Sequence, residues 1–179
     1  MESLTERLIF HEVTKKDIKI IFKIHSMPEV DEFNTLGIPE NIKVTKKVIQ
    51  PYITDQKQKE RKLFYWVIRL KDNNEIFGTC GLSLAAARFR MGEIYYSLMP
   101  SYWGKGFGTE TAQFLVNFGF NQLHLHRIEA GVATENIRSI KVLGKIGMAR
   151  EGTRRKILPI RGEWKDNYHY AILESDKRE

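Results

Sequence analysis

Apolar and polar residues alternate around Leu8 and Phe10, and after Thr14 the apolar positions recur as Ile18, Ile21 and Phe22, with His25 on the same helical face. A strand followed by a Thr14-capped helix is predicted from that change of period. Between Ser26 and Glu60 the pattern is irregular: Pro28, Pro39 and Pro51 separate short segments, of which Asn41–Gln50 offers only a Val44 and Val48 stripe. Leu63–Leu70 and Glu75–Leu82 then read as a hairpin around Asp72-Asn73-Asn74, and Gly92–Met99 as a further strand. Three neighbouring antiparallel strands are expected there.

Beyond residue 109 the period changes again. Ala112, Leu115, Val116, Gly119 and Phe120 give a helix over about Thr109 to Leu123, and Ile128, Ala130 and Val132 alternate as a strand. Strand, helix and strand in this order predict a right-handed crossover into a parallel pair. Asn136 is placed to cap a second helix carrying Ile137, Ile140 and Leu143, which stops at Gly147. Met148–Lys156 and Tyr168–Leu173 read as closing strands joined through Arg161-Gly162-Glu163.

Composition narrows the class. A chain of 179 residues with 42% hydrophobic content buries one ordinary core, so a single domain over residues 1–179 is expected. Cys80 is the only cysteine, which excludes a disulfide framework and a cysteine metal cluster and suits a reducing cytoplasm. His124 and His126 have no metal-ligand spacing, and no metal is expected. No signal-like start or long apolar run points to export or a membrane. The net charge of +7 suits an anionic ligand, yet the basic residues are dispersed among acids, so direct nucleic-acid binding is not expected.

The stretch Trp103-Gly104-Lys105-Gly106-Phe107-Gly108-Thr109 falls between the strand ending near Met99-Pro100 and the long helix. Glycine reaches backbone angles closed to other residues and lets an anion approach the chain, while the helix that follows offers unpaired N–H groups and the positive end of its dipole. One charge there is worth ~0.3–1 kcal/mol, so a pyrophosphate gains from several donors at once. The spacing is not that of a P-loop, because Gly104-Lys105 is followed by Gly106, nor of a dinucleotide fingerprint, because residue 109 is threonine. A phosphate-bearing cofactor is the leading ligand, with a plain glycine-rich turn as the alternative.

Glu93-Ile94-Tyr95-Tyr96, the run from Pro100 to Glu110, and Glu135-Asn136-Ile137-Arg138-Ser139 together resemble the GNAT superfamily of acetyl-CoA-dependent N-acetyltransferases. Thr5-Glu6-Arg7-Leu8, Glu151-Gly152 and Asp166 extend the likeness along nearly the whole chain, toward the RimJ/RimL-like branch of ribosomal-protein N-terminal acetyltransferases. The resemblance implies an α/β fold with a mixed, mainly antiparallel sheet, flanked by helices, whose central parallel strands splay to admit the pantetheine arm. It also implies acetyl-CoA as cosubstrate. Its pyrophosphate would lie on the main-chain N–H groups of Gly104, Lys105, Gly106, Gly108 and Thr109, and an oxyanion donor would come from the main chain near Leu98 or Met99.

By the same resemblance Glu93 is the candidate base, Ser139 the hydroxyl beside the leaving sulfur, Asn136 a cofactor contact and Tyr96 a residue of the acceptor side. Each has a plainer alternative: a surface carboxylate, a helix-surface serine, a helix cap and a core aromatic. Leu143 stands where many relatives carry a tyrosine acid, Tyr95 where relatives commonly have glycine and Leu158 where they often have glutamate. The expected reaction is acetyl transfer to a primary amine, either the α-amine of a ribosomal or other protein or a small molecule such as a polyamine, an amino acid or an antibiotic. A non-catalytic CoA-binding sensor is the reading from another class. Any contact with nucleic acid would be indirect, through the ribosome, and the assembly is expected to be a monomer or homodimer.

Overall fold

The computed structural model describes residues 2–176; Met1, Lys177, Arg178 and Glu179, which the expected 1–179 domain includes, lie outside the described residues. Eight strands form one sheet: β1 (Glu2–Leu4), β2 (Leu8–Glu12), β3 (Leu63–Leu70), β4 (Ile76–Leu84), β5 (Met91–Leu98), β6 (Arg127–Ala133), β7 (Ala149–Ile160) and β8 (Glu163–Leu173). Their spatial order is β1-β2-β3-β4-β5-β6-β8-β7. All neighbours are antiparallel except β5 and β6, which are parallel. The helices are α1 (Ile18–His25), α2 (Pro28–Asp31), α3 (Ile42–Asp55), α4 (Phe107–Asn121) and α5 (Ile137–Lys145). This is the mixed α/β architecture expected, with α4 as the crossover between the parallel strands.

Alternation along the strands supplies two cores. Phe64, Trp66 and Ile68 of β3 join Phe114, Leu115 and Val116 of α4 and Leu143 of α5 in the larger one. Phe10 stacks on Phe114 at 3.8 Å between ring centroids, and Trp66 meets the same ring edge-on at 5.4 Å. On the opposite face Tyr65 and Val67 pack with Ile21 of α1 and Ile49 of α3. The sheet is therefore covered by α4 and α5 on one side and by α1 and α3 on the other.

A helix and a hairpin differ in length from expectation, and one strand was not expected. The helix in the illegible region is longer than Asn41–Gln50, running through Pro51 to Asp55, and it buries Thr45 and Ile49 while Val44 stays exposed. Pro51 removes one in-helix hydrogen bond, at a cost of ~3 kcal/mol, which tertiary packing of Ile49, Tyr52 and Ile53 offsets. β7 and β8 are longer than expected and form a hairpin that runs past the end of β6. β1 gave no periodic signal, since three residues are too few to show one.

Candidate active site

The parallel pairing of β5 with β6 covers only Met91 with Arg127, Gly92 with Ile128 and Glu93 with Glu129. Beyond Glu93 the strands separate, and a cleft of about 750 Å³ runs through the gap. The polarity of its edge follows from the ladder with β4. Met99 N–H donates to the Phe77 carbonyl at 2.8 Å and Ala85 N–H to the Met91 carbonyl at 2.9 Å, so odd-numbered residues of β5 turn their main-chain groups toward β4. Antiparallel alternation then points those of Ile94, Tyr96 and Leu98 into the gap. Met99 is thereby corrected as an oxyanion donor, because its N–H is already taken; Leu98 keeps the right direction.

At the far end of the cleft the chain turns through Gly104 and Gly106, with φ of +74° and +83°, and enters α4 at Phe107. These angles are open to glycine and strained for other residues. The first bond into the helix runs from Glu110 N–H to the Gly106 carbonyl at 3.1 Å, so the N–H groups of Phe107, Gly108 and Thr109 have no partner within it. Gly104, Gly106, Gly108 and Thr109 line the cleft. Lys105 turns its ammonium toward the Tyr102 ring, 5.5 Å from the centroid, and its side chain does not line the cleft. Phe107 N–H is a donor that sequence reasoning passed over, since its availability depends on where the helix begins.

Two braces fix this loop. Arg7 donates through Nε to Glu110 Oε2 at 2.8 Å and through Nη1 to the Lys105 carbonyl at 3.0 Å, and its guanidinium lies over the Phe107 ring. Glu110 Oε1 also accepts from Thr5 Oγ1 at 2.6 Å and Arg7 N–H at 2.9 Å. Burial pushes the Glu110 carboxyl up, but Thr5 and Arg7 together hold it below the usual carboxylate value. On the cleft side Trp103 donates from Nε1 to the Leu98 carbonyl at 2.8 Å and carries the Arg138 guanidinium on its ring. Arg138, Lys141 and Lys145 of α5 border the same end of the cleft, a basic stripe at helical spacing that suits phosphate.

Side chains of β5 divide between the two faces of the sheet. Tyr95 turns toward α1 and α3: its hydroxyl donates to Tyr52 Oη at 2.9 Å, and its ring occupies the space a Cβ on Gly81 would need. Tyr65, with His25 Nε2 at 3.4 Å from its hydroxyl, completes an aromatic wall. Burial raises the Tyr65 and Tyr95 phenols well above the ordinary value and lowers His25. Glu93 shares this face and is exposed, lining the cleft. Its neighbour Glu129 is held by Arg127 Nε at 2.7 Å and by His169 Nε2 at 3.3 Å.

Tyr96 was expected beside the acceptor, and here the structure corrects the expectation. Alternation sends its side chain to the other face, among the residues of α4 and α5. Its hydroxyl is buried without a hydrogen-bond partner, which costs ~1–3 kcal/mol when nothing compensates. Burial pushes this phenol up to about 12, and the Ser139 hydroxyl pulls it down by a smaller amount. Ser139 lines the cleft from the first turn of α5. Asn136 Oδ1 accepts Ser139 N–H at 3.1 Å, so Asn136 caps the helix and leaves its amide N–H groups for other partners. Leu143 is buried and brings no hydroxyl.

These features fit an acyl-CoA: a glycine-bounded helix terminus for the pyrophosphate, free main-chain groups along a splayed edge for the amide-bearing arm, and an orphaned hydroxyl deep in the gap. Among the described residues no group of His, Cys, Asp and Glu is placed to hold a metal, and no helix is long and apolar enough to cross a membrane. Residues 7–149 match the family described as Acetyltransferase (GNAT) domain. The chain is 32% identical over 177 residues to the uncharacterized N-acetyltransferase p20 of Bacillus licheniformis, covering 98% of each. It is also similar to the crystal structure of a GNAT-family acetyltransferase from Bacillus anthracis, with a TM-score of 0.82 and 31% identity over 98% of this chain and 100% of that one.

Likeness to proteins named for an acceptor is weaker and divided. The ribosomal protein uS5-alanine N-acetyltransferase of Escherichia coli shares 29% identity over 119 residues, 66% of this chain and 61% of that one. The spermidine N(1)-acetyltransferase of the same organism shares 28% over 85 residues, 48% and 46%.

Proposed function

Because this chain belongs to the GNAT acetyltransferase family and is an acetyl-CoA-dependent N-acetyltransferase, we propose that its acceptor is the α-amine of a peptide or protein, entering from the α1 and α3 side of the cleft. The lining of that side carries the proposal. Its carboxylates are Glu29 and Glu93, beside His25, Val30, Phe33, Val48, Tyr52, Tyr65, Tyr95 and neutral polar groups. A polyamine has several ammonium groups to pair, and two carboxylates on a protein of net charge +7 serve it poorly. Leu36 lines the cleft at 67% exposure, and the exposed Ile38, Ile42 and Val44 follow it in the chain without lining the cleft. An exposed apolar side chain in the lining suits a peptide body rather than a free cation. A RimJ/RimL-like role on ribosomal or other cytoplasmic protein termini follows from this reading.

The residues then divide the work. Acetyl-CoA supplies an acetyl thioester, and the loop from Gly104 to Thr109, with Lys141 and Lys145, holds the phosphates. Leu98 N–H faces the gap as donor to the carbonyl oxygen, a contact worth ~2.7–4 kcal/mol when preorganised. Glu93 takes the proton of the attacking amine, directly or through water, a role worth roughly 10²–10⁴-fold. Residues 1–179 act as one catalytic unit.

The test is a panel of peptides with free or blocked N-termini, free lysine side chains and spermidine, each incubated with acetyl-CoA while free thiol and acceptor mass are followed. Acetylation of free N-termini is expected, with Glu93→Gln lowering kcat by about 100-fold. Preferential acetylation of spermidine would overturn the acceptor assignment while leaving the transferase intact.

A further inference from the structure

The Tyr96 hydroxyl lines the cleft and has no task in the division of work above. It is buried, the Ser139 hydroxyl lies near it without completing a hydrogen bond, and its ring stands against the start of α4, where a Cβ on Gly108 would lie 3.9 Å from it, 3.4 Å from Val142 and 3.8 Å from Leu98. Ser139 is the polar side chain that acts on it. Both line the gap through which the arm of an acyl-CoA would pass to reach the Leu98 edge. Glu93, by contrast, lies on the opposite face of β5. The site thus has a carboxylate where the amine arrives and a paired phenol and serine on the far side.

We propose, resting on the acetyl-CoA reading of this cleft, that the Tyr96 phenol is a catalytic residue that donates a hydrogen bond to the departing sulfur, with Ser139 positioning it. The amine nitrogen forms the new bond to the acetyl carbon, the carbon–sulfur bond breaks with its electron pair going to sulfur, and the amine proton leaves through Glu93. The sulfur, negatively charged as it departs, is the acceptor that the orphaned hydroxyl lacks. A phenol raised by burial to about 12 stays protonated at neutral pH and holds its proton more tightly than a thiol does, so it stabilises the thiolate by donation. The thiolate takes its proton from water on release. A strand residue thereby does what Leu143, lacking any donor, cannot do from α5.

The direct test does not need the acceptor. Binding of CoA and of desulfo-CoA, in which hydrogen replaces the thiol, is measured by calorimetry for the wild type, Tyr96→Phe and Ser139→Ala, at neutral pH and above the ordinary thiol range. The wild type is expected to prefer CoA, more so at the higher pH. Tyr96→Phe, which keeps the buried ring, is expected to lose about 5- to 10-fold of that preference, and Ser139→Ala about 2- to 3-fold. In the transfer assay Tyr96→Phe should lower kcat by about 10- to 100-fold with little change in the KM for acetyl-CoA.

An unchanged CoA to desulfo-CoA ratio in Tyr96→Phe would overturn the proposal and leave the hydroxyl as a packing defect or the host of a structural water. If the wild type bound neither molecule, the cofactor reading itself would fall, and the proposal with it. Should Tyr96→Phe fail to fold, the Ser139→Ala ratio decides, no change counting against the role.

Discussion

The two ends of the cleft are built differently. The cofactor end is main chain: glycines at 104 and 106 hold left-handed angles, α4 presents its first N–H groups, and Arg7 and Trp103 brace the turn from either side. The acceptor end is side chain: His25 from α1, Tyr52 from α3, Tyr65 from β3, Thr79 from β4 and Tyr95 from β5 converge on one wall. Its cover is α2 and the residues after it, tied by Arg161 to Asp31 Oδ2 at 3.3 Å and the Pro28 carbonyl at 2.7 Å, and by Arg138 to Glu32 at 2.8 Å. In the proposed function one end would recognise a constant group through geometry that few residues can adopt. The other would recognise a variable group through residues that can be exchanged singly, in keeping with a likeness that identifies the family more firmly than the acceptor.

The largest effect is expected where conformation is least negotiable. Gly106→Val puts a β-branched residue at φ +83°, with its Cβ within 3.2 Å of Arg7 Nη2. Strain of ~1–3 kcal/mol must then be relieved by moving the loop or withdrawn from binding. CoA affinity measured by calorimetry should fall by about 10- to 100-fold, with a fall in melting temperature to the extent that the unliganded loop keeps the strain. Undiminished affinity would remove the loop as the seat of the phosphates and erase the contrast between the ends.

The same contrast explains what could be read from the chain. The glycine spacing, the Asn136 cap and the alternation of Ile128, Ala130 and Val132 are local signals, and each reappears as a loop, a helix start and a strand. Residues 26–60 were illegible because their order comes from elsewhere. α2 is a four-residue turn stabilised from the β7–β8 hairpin, and α3 is helical through a proline because Ile49 and Tyr52 find partners on β3. Arg7 could not be singled out, since its partner Glu110 is distant in sequence. Met99 and Tyr96 were misjudged for a single reason. Which strand residue spends its N–H on β4, and which face its side chain takes, depends on register, and a shift of one residue reverses both.

A moderate effect should appear at the acceptor end alone. Arg161→Met cuts two ties to α2 and leaves Asp31 buried without its cation. Arg161 is half exposed, so the loss is about 1 kcal/mol rather than the several expected of a fully buried pair. That corresponds to about a fivefold rise in the KM for the acceptor, while the KM for acetyl-CoA stays within about twofold. A parallel rise in both would mean that the two ends are coupled through Arg138, which touches both Trp103 and Glu32.

The smallest effect sharpens what the Arg7 brace consists of. Glu110 titrates below its ordinary value of 4.5 in the folded protein, so its contribution to stability is complete above that value and is lost as pH falls through the folded one. Arg7→Met removes the charge that helps hold it down. With Arg7 43% exposed, the difference from wild type at neutral pH should be about 0.5–1 kcal/mol in a urea melt. The gap should narrow as pH drops below 4.5 without closing, because the guanidinium also lies 4.4 Å from the Phe107 ring centroid and donates to the Lys105 carbonyl. Neither contact depends on Glu110 being ionised. A gap that closes completely would make the brace purely electrostatic; one that does not move with pH would assign it to packing against the loop, and the cofactor end would then owe its rigidity to shape alone.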